Sequence, residues 1–332
     1  MTHRPLVSVI VPAYNAGQLL ARCLDTLAAQ SYPHVEVIVV NDGSTDGSTE
    51  VVSTFMGRMP GRFTLIDIPH GGRARARQAG VDAAAGEFIG FVDADDTAHA
   101  DLYAALVAAC TEQPGADVAV CRYRNVAADG TAGHIYEEGT PELFGGSLAD
   151  MPELLYTVEA SLCNKLFSRS LFDGVTFPPG RDFEDLATTY RLLGRARRIV
   201  RVDGPPLYFY HQGGPVSVMA AHGPEYIDAV EAIRTTCDFF RAEGTFEILE
   251  SALLRLTLRH LVFSRFGGLF ERGTRVVVRR YLDAVYGLLD AQFPHWRRSK
   301  VLREMCGSVW SYTLVRSKML MRLFTLVRSR AS

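Results

Sequence analysis

Three carboxylates, Asp93, Asp95 and Asp96, stand within four residues directly after the apolar run 88–92. That run lacks the polar alternation of a half-exposed strand, so it predicts a strand buried on both faces, as in a parallel sheet covered by helices. Because side chains alternate along an extended chain, we expect Asp93 and Asp95 on one side, roughly 6–7 Å apart. Carboxylates this close repel one another. The pair therefore predicts a bound Mg²⁺ or Mn²⁺ that carries a substrate phosphate.

The ordinary alternative for an Asp-x-Asp motif is a solvated acidic loop, which we would favour about three to one for an isolated motif. The position of this motif changes that balance. Ligands of open α/β sheets bind at the carboxyl ends of strands, and the three carboxylates follow the end of a predicted strand.

The residues before the motif alternate between strand and helix patterns, which predicts a doubly wound α/β sheet. The predicted strands are 6–11, 35–40 and 63–68, and the predicted helices are 19–27, 49–55 and one that begins within 71–80. Arg73, Arg75 and Arg77 stand at alternate positions in that last helix, so they cannot share one helical face. At most two of them can point at the site.

Polar side chains follow each early strand, and together they predict a nucleotide pocket at one sheet edge. Tyr14 and Asn15 follow the first strand, and Asp42 follows the second. A Tyr ring beside Pro12 can stack on a base, and a carboxylate can accept the imide N–H of uracil. A metal at Asp95 can neutralise a diphosphate. Taken alone, Tyr14 fits an ordinary surface turn equally well. Neither a G-x-G-x-x-G after the first strand nor a P-loop motif is present, which disfavours dehydrogenases and P-loop NTPases.

Composition indicates a globular protein with an uneven charge. The chain has 332 residues, 48% of them hydrophobic, and a net charge of −2. Its six cysteines lack C-x-x-C spacing, which favours reduced, buried thiols. No run of 18 uncharged apolar residues and no signal peptide is found, so we expect a cytoplasmic protein. From Arg297 onward the sequence contains nine Lys and Arg residues and a single acidic residue, Glu304.

Four segments of the first hundred residues resemble the successive blocks of the family 2 glycosyltransferases, which have a GT-A fold. These segments are 7–15, 39–46, 76–80 and 86–96, and the resemblance continues to about Met219. It implies an inverting, metal-dependent transfer of a sugar from a nucleotide-activated donor. Gln78 stands where the family commonly has Asn, which weakens the assignment of Arg77 most.

The resemblance also implies roles for individual residues. Pro12, Tyr14 and Asp42 would contact the base, and Arg77 would support the nucleotide. Asp93 would lie near the ribose and Asp95 on the metal. The remaining predicted nucleotide-binding residues are Ala13, Asn15 and Ala94.

The second half of the domain supplies a candidate base. Glu184 and Asp185 open a predicted helix, where acidic residues are favoured by the helix dipole whatever the function. An inverting transfer also needs a carboxylate that takes the acceptor's hydroxyl proton, which contributes about 10²–10⁴-fold. Together with residues 164–167, Asn-Lys-Leu-Phe, the Phe-Glu-Asp at 183–185 resembles the capsule- and teichoic-type branch of the same family. That resemblance selects Asp185 as base and Glu184 as its acidic neighbour.

Three other stretches carry weaker predictions. Residues 101–112 and 117–121 predict a helix and a strand, whereas the turn-rich stretch 124–150 predicts a long loop on the acceptor side. In 205–219, His211 and Gly213 replace two arginines that are frequent in that branch. His211 could bind a diphosphate or complete the metal shell, or do neither. The pair Gly213-Gly214 suggests a loop that closes over the donor.

From residue 225 the pattern is helical, with predicted helices at 226–243, 246–263, 275–289 and 301–327. We place the boundary between a GT-A domain, 1–220, and a helical region with a basic tail, 221–332. The tail's cations are spread around the last helix, so a core or homo-oligomer helix is the alternative to contact with an anionic membrane surface. No recognition motif accompanies the charge, so nucleic acid is not an expected partner.

The sequence therefore predicts a hexosyltransferase that moves a sugar from a nucleotide-diphosphate donor to a surface glycan or its lipid-linked precursor. UDP as the nucleotide follows from the resemblance. A sugar nucleotidyltransferase also presents carboxylates and a metal at strand ends and is the first alternative. A non-catalytic glycan-binding scaffold of the same fold is the second, and the presence of both Asp95 and Asp185 argues against it.

Overall fold

The computed structural model describes residues 4–212, 226–264 and 274–322. By internal contacts the chain divides into two compact units, Met1–Ser217 and Val218–Ser332. The predicted boundary at residue 220 and the predicted closing loop at Gly213-Gly214 lie outside the described residues, so both stay predictions.

The first unit is built on a seven-stranded mixed sheet and a four-stranded second sheet. Its strands are β1 (Val7–Ala13), β2 (Val35–Asp42), β3 (Phe63–Ile68), β4 (Phe88–Phe91), β5 (Thr97–Ala98), β6 (Val118–Val120), β7 (Tyr123–Val126), β8 (Ala132–Tyr136), β9 (Lys165–Ser168), β10 (Ile199–Arg201) and β11 (Tyr208–His211). Its helices are α1 (Gly17–Ala28), α2 (Ser48–Arg58), α3 (Arg73–Ala83), α4 (Leu102–Glu112), α5 (Leu154–Thr157) and α6 (Glu184–Arg195), with 3-10 turns at Pro141–Leu143 and Arg169–Phe172.

The large sheet has the order β10-β6-β9-β4-β1-β2-β3. Strands β4, β1, β2 and β3 are parallel neighbours, so their carboxyl ends meet at one edge. Strand β9 is antiparallel to both β4 and β6, which makes the sheet mixed. This arrangement confirms the predicted α/β class, and it gathers the loops that follow the first four strands.

Apolar spacing explains how the helices cover this sheet. Helix α1 buries Leu20, Cys23, Leu24 and Leu27, the three- and four-residue spacing of one helical face. Helix α3 approaches β1 closely because Gly80 has no side chain: a Cβ there would overlap the side chain of Ile10. This close packing positions Arg77, one turn earlier in α3, over the strand ends.

The predicted loop at 124–150 is wrong in its first part. Strands β7 and β8 pair there as an antiparallel hairpin, and β7 also pairs with β11. The hairpin was hidden by its turn-rich composition, and its strands are short, partly exposed and completed only by a partner far along the chain. The second sheet has the order β5-β11-β7-β8 and connects the acidic loop after β4 to the end of the unit.

The second unit is helical, as the sequence predicts. Its helices are α7 (Tyr226–Ala242), α8 (Phe246–Leu258), continued by a π-helical turn at Arg259–Phe263, α9 (Arg275–Gln292), α10 (Lys300–Cys306) and α11 (Val309–Arg316), with a 3-10 turn at Trp296–Arg298. The single helix predicted for 301–327 is wrong. Gly307, with a φ of +65°, ends α10, and the Ser308 hydroxyl accepts the Ser311 amide at 3.1 Å to start α11. Residues 323–327 lie outside the described part.

All six cysteines are buried free thiols, which confirms that prediction. No helix among the described residues is long and apolar enough to span a bilayer.

Candidate active site

The three carboxylates after β4 have different surroundings. Asp93 pairs with Arg77 of α3, with Nη2 and Oδ1 2.7 Å apart. Asp96 is buried and accepts hydrogen bonds from the Tyr208 hydroxyl and from the His211 amide, the latter at 2.8 Å. Asp95 is only partly buried, and it is held through its carbonyl, which accepts from Arg22 at 2.6 Å. The loop therefore keeps one carboxylate available while the other two are tied to the fold.

The electrostatics of the loop follow this division. Burial alone would raise the pKa of Asp93, but the Arg77 guanidinium holds it below its usual value. Burial, followed by the negative charge of Asp93, raises the pKa of Asp95. The same two causes raise the pKa of Asp96 well above its usual value. Mutual repulsion of the carboxylates thus contributes to the raised pKa values of Asp95 and Asp96, and a bound cation would relieve that repulsion.

Arg77 connects the acidic loop to the start of helix α6. Its side chain is only 4% exposed. Besides Asp93, its guanidinium pairs through Nη1 with Glu184, which is also buried. The sequence assigned Arg77 to the nucleotide, and the structure instead shows it engaged by two carboxylates. Support of the nucleotide stays a prediction, while its visible role is to fix the acidic loop against α6.

Asp185 lies beside this buried pair without sharing it. Phe183, with a φ of +61°, turns the chain into α6, so that consecutive acidic residues face different surroundings. The Asp185 carboxylate accepts the Leu186 amide at 2.7 Å. Burial, followed by the charge of Glu184, raises the pKa of Asp185 to about 6. A general base works best with a pKa near the working pH, so Asp185 has the ionisation expected of one.

At the other end of the sheet edge, Tyr14, Asp42 and His70 form a cluster. The Asp42 carboxylate is buried and accepts the amides of Gly71 and Gly72 at 2.7 and 2.9 Å. His70 Nδ1 is 3.0 Å from the Asp42 Oδ2 atom, and its ring stacks on Tyr14 with centroids 4.2 Å apart. Tyr14 is 39% exposed, so its ring is accessible to a ligand.

His70 was missed by sequence reasoning. It follows β3 as Tyr14 follows β1 and Asp42 follows β2, and that position was the available signal. The imidazole had no recognisable motif around it, and its placement depends on β2 and β3 being neighbours in the sheet.

The remaining predicted nucleotide residues are placed by backbone contacts. The Asn15 side chain accepts the Thr45 amide at 2.8 Å, and the Asn15 amide donates to the Ser44 hydroxyl at 3.0 Å. Asn15 thus joins the loops after β1 and β2. Pro12 is the penultimate residue of β1, and Ala13 and Ala94 are buried, so these three could touch a nucleotide through main-chain atoms.

His211, predicted as a metal ligand, lies next to the acidic loop. Its Nε2 atom is 2.9 Å from the Thr97 hydroxyl. Burial and the nearby charge of Arg22 lower the pKa of His211, which favours the neutral imidazole. Within 4–212, 226–264 and 274–322, no three His, Cys, Asp or Glu side chains form a ready metal site. The donor set at Asp95 is nevertheless the carboxylate oxygen that Mg²⁺ and Mn²⁺ prefer.

The 164–167 motif belongs to a second network, centred on Lys165. Lys165 is fully buried and donates to the carbonyl of Ser161 and to the side-chain oxygen of Asn164, both at 2.8 Å. Its ammonium is 3.7 Å from Glu138, which also accepts from Asn164 at 2.9 Å. The predicted acceptor-side stretch is therefore anchored by Glu138 to the strand that carries Lys165.

Comparisons with known proteins identify the family of the chain. The profile described as Glycosyl transferase family 2 matches residues 8–176. Glycosyltransferase GlyG of Streptococcus pneumoniae serotype 4 is 33% identical over 217 residues, which cover 62% of this chain and 71% of GlyG. For four further curated relatives the matched segments cover between 27% and 60% of their length.

Two solved structures share the fold. Staphylococcus aureus TarS 1–349 in complex with UDP-GlcNAc superposes with a TM-score of 0.78 at 21% identity, covering 98% of this chain and 90% of that one. The mannosyltransferase PcManGT of Pyrobaculum calidifontis, in complex with GDP-Man and Mn²⁺, superposes with a TM-score of 0.53 at 20% identity, covering 98% and 87%.

Proposed function

Because the chain belongs to glycosyl transferase family 2, we propose that it transfers a hexosyl group, with inversion, from a UDP-sugar to a glycan or lipid-linked acceptor. A metal ion assists at Asp95, and Asp185 is the general base. One observation carries this proposal: the Arg77 guanidinium holds both Asp93 and Glu184 and leaves Asp185 as the adjacent carboxylate, with a pKa raised to about 6.

In the proposed reaction the acceptor oxygen attacks the anomeric carbon from the side opposite the diphosphate. The bond from the acceptor oxygen to carbon forms as the bond from carbon to the diphosphate oxygen breaks. Asp185 takes the hydroxyl proton, and the electron pair of the broken bond leaves with UDP. Glu184 is paired with Arg77, so its proposed role is to position Asp185.

The donor pocket is proposed at the Tyr14, Asp42 and His70 cluster. Tyr14 offers an accessible ring for the base, and the Asp42 Oδ1 atom retains a lone pair beyond its contact with the Gly71 amide for an imide N–H, whereas Oδ2 already meets the Gly72 amide and His70. The TarS structure with UDP-GlcNAc supports a uridine donor by analogy of fold. We propose a surface glycan as the acceptor because the motifs at 164–167 and 183–185 resemble the capsule- and teichoic-type branch of the family.

Asp95 is the residue we propose to hold Mg²⁺ or Mn²⁺, which would neutralise charge on the departing diphosphate. Its raised pKa and its partial exposure fit a carboxylate that gains from a cation. The Mn²⁺ in the PcManGT complex supports this by analogy. His211 stays a prediction as a second ligand, because its Nε2 atom faces the Thr97 hydroxyl.

Product analysis tests the proposal in two mixtures, one with metal, UDP-sugar and a glycan acceptor and one with metal, sugar phosphate and UTP. A transferase releases UDP and makes a glycosylated acceptor. A nucleotidyltransferase would make pyrophosphate from sugar phosphate and UTP, and a scaffold would make neither. Asp95→Asn should abolish the metal-dependent part of UDP binding, because an amide is a poorer ligand for a hard cation. UDP affinity in the presence of Mn²⁺ equal to that of the wild type would remove Asp95 from the metal.

A further inference from the structure

A cleft of about 400 Å³ lies between the turn at Trp296–Arg298 and the end of α11 in the helical unit. Its lining consists of one hydroxyl residue and four cations: Arg297, Arg298, Arg316, Ser317 and Lys318. The proposed transfer reaction uses none of them.

The cleft is held open by specific contacts although its lining charges repel one another. Arg297 pairs with Asp290, with Nη2 and Oδ2 3.0 Å apart, and its Nε donates to the Arg316 carbonyl at 3.1 Å. The Tyr312 hydroxyl donates to the Arg297 carbonyl at 2.7 Å. On the other side, Lys318 is 2.8 Å from Asp283. Two of the four cations are thus fixed in place.

The charge of the cleft is not balanced by the described residues. Four lining cations against the two carboxylates Asp283 and Asp290 leave a net charge of +2. Arg298 and Arg316 are exposed, and no carboxylate of the described residues pairs with either. The Arg316 guanidinium lies over the Tyr312 ring, 5.4 Å from its centroid. Exposed guanidinium groups around a cleft suit the oxygens of a phosphate.

Exposed apolar side chains lie beside these cations. Val309 is 84% exposed and Trp310 is 65% exposed at the start of α11, and Met319 is 68% exposed just after it. Val309 and Arg316 are seven residues apart, so they share one face of the helix. A soluble phosphate compound would use the cations but leave these side chains in water. A bilayer surface uses both, because cations meet headgroup phosphates while Trp and aliphatic side chains enter the interface.

We propose that this cleft binds the headgroup phosphate of an anionic phospholipid and, with Val309 and Trp310, docks the helical unit on a bilayer surface. The proposal is independent of the transfer chemistry, since it involves no residue of the acidic loop or of α6.

Vesicle flotation with the full chain tests it directly. Vesicles of equal parts phosphatidylglycerol and phosphatidylcholine should bind the protein, and phosphatidylcholine vesicles should not. The double variant Arg298→Gln/Arg316→Gln should bind about 10- to 30-fold more weakly. The reason is that each cation near an anionic surface strengthens vesicle binding by a similar factor, and this variant removes two of them. The charge-matched control Arg279→Gln/Arg280→Gln removes two exposed arginines of α9 outside the cleft and should bind like the wild type. Equal losses in both pairs would overturn the proposal.

A second variant is expected to strengthen vesicle binding, a result that misfolding could not produce. Asp283→Asn removes a carboxylate that pairs with Lys318 and Arg322, so it should strengthen vesicle binding. Added salt should weaken binding of the wild type, because surface charges are screened over about 8–10 Å at ordinary ionic strength. Unchanged binding in Asp283→Asn together with salt-independent binding contradicts the proposal.

Tryptophan fluorescence reports which surface touches the lipid. The chain has two tryptophans, and Trp296 is only 1% exposed, so quenching by acrylamide reports Trp310. Phosphatidylglycerol vesicles should protect Trp310 from acrylamide. If glycerol phosphate in solution protects it while vesicles do not, the cleft takes a soluble phosphate and the lipid proposal is wrong.

If Val309→Ser/Trp310→Ser dissociates an oligomer and leaves vesicle binding unchanged, the surface belongs to a second copy of the chain.

Discussion

Arg77 and Lys165 are both buried cations that meet carboxylates, but their networks end differently. Lys165 and Glu138 are enclosed, and their remaining bonds go to Asn164 and to main-chain atoms. Arg77 meets Asp93, whose side chain is 27% exposed, and Glu184, whose neighbour Asp185 is partly exposed. A closed network can only hold the fold together. An open network also fixes the positions of partly exposed carboxylates, and for that reason we propose that the chemistry takes place beside the Arg77 network, at Asp185.

The largest effect should come from Asp185, the partly buried carboxylate beside the Arg77 network. Asp185→Asn should lower turnover at saturating donor and acceptor by at least about 10²-fold, because Asn has a similar shape but cannot accept the hydroxyl proton. UDP affinity, measured on the same preparation, should hardly change. Full turnover in this variant would direct the search for the base to the carboxylates of 137–150.

The closed network should respond in stability instead. Lys165→Met leaves Glu138 buried without its cation, which should lower the free energy of unfolding by about 3–5 kcal/mol. Turnover per folded molecule should stay near that of the wild type. Lys300→Met, at a lysine whose side chain is 89% exposed, is the matched control and should stay within about 0.5 kcal/mol. Denaturant titration measures both, and a selective loss of turnover in Lys165→Met would erase the distinction between the networks.

A third prediction concerns the proposed donor pocket, which lies on the same sheet edge as the open network. Tyr14→Ala should weaken UDP binding by about 1–3 kcal/mol, the scale of stacking on a base. Tyr14→Phe keeps the ring and should bind UDP nearly as well as the wild type. Calorimetry with UDP decides the role of Tyr14. If Tyr14→Ala binds UDP as tightly as the wild type and Tyr14→Phe, Tyr14 is an ordinary surface residue.

The last expected effect is a gain in stability. The pKa of Asp185 is about 6 in the fold against 3.8 for a free Asp side chain, so ionised Asp185 costs stability. That cost is absent below about pH 4, grows between pH 4 and 6, and is complete above pH 6. Asp185→Asn should therefore melt at a higher temperature than the wild type at pH 7.5 and show no such advantage at pH 4. A lower melting temperature at both pH values would contradict the raised pKa.

Much of the site was predictable because it follows strand ends. The apolar runs at 35–40 and 63–68 became β2 and β3, and the carboxylates after residue 92 do lie at the sheet edge. Local sequence also placed Glu184 and Asp185 at the start of a helix. The physical reason is that buried strands and helix starts have strong local patterns.

The partners of these groups were not predictable. Arg77 and Glu184 are 107 residues apart in the chain, and their pairing depends on how α6 packs on the sheet. Asp95 and Asp96 are adjacent and chemically identical, yet β11 takes up only Asp96. The β7–β8 hairpin was missed for the same reason, since it is completed by the distant β11. In each case the partner is determined by packing between segments far apart in the chain, which leaves no local pattern in the sequence.

The pH dependence of kcat/KM tests the central claim, that Asp185 is a base prepared by the Arg77 network, because this ratio reports ionisations of the free enzyme. We predict a plateau at neutral pH and a tenfold fall per pH unit below about pH 6, as Asp185 takes up a proton. The residual activity of Asp185→Asn should lack this limb. A wild-type profile that is flat through pH 6, or the same limb in Asp185→Asn, would contradict the assignment of Asp185 as the base.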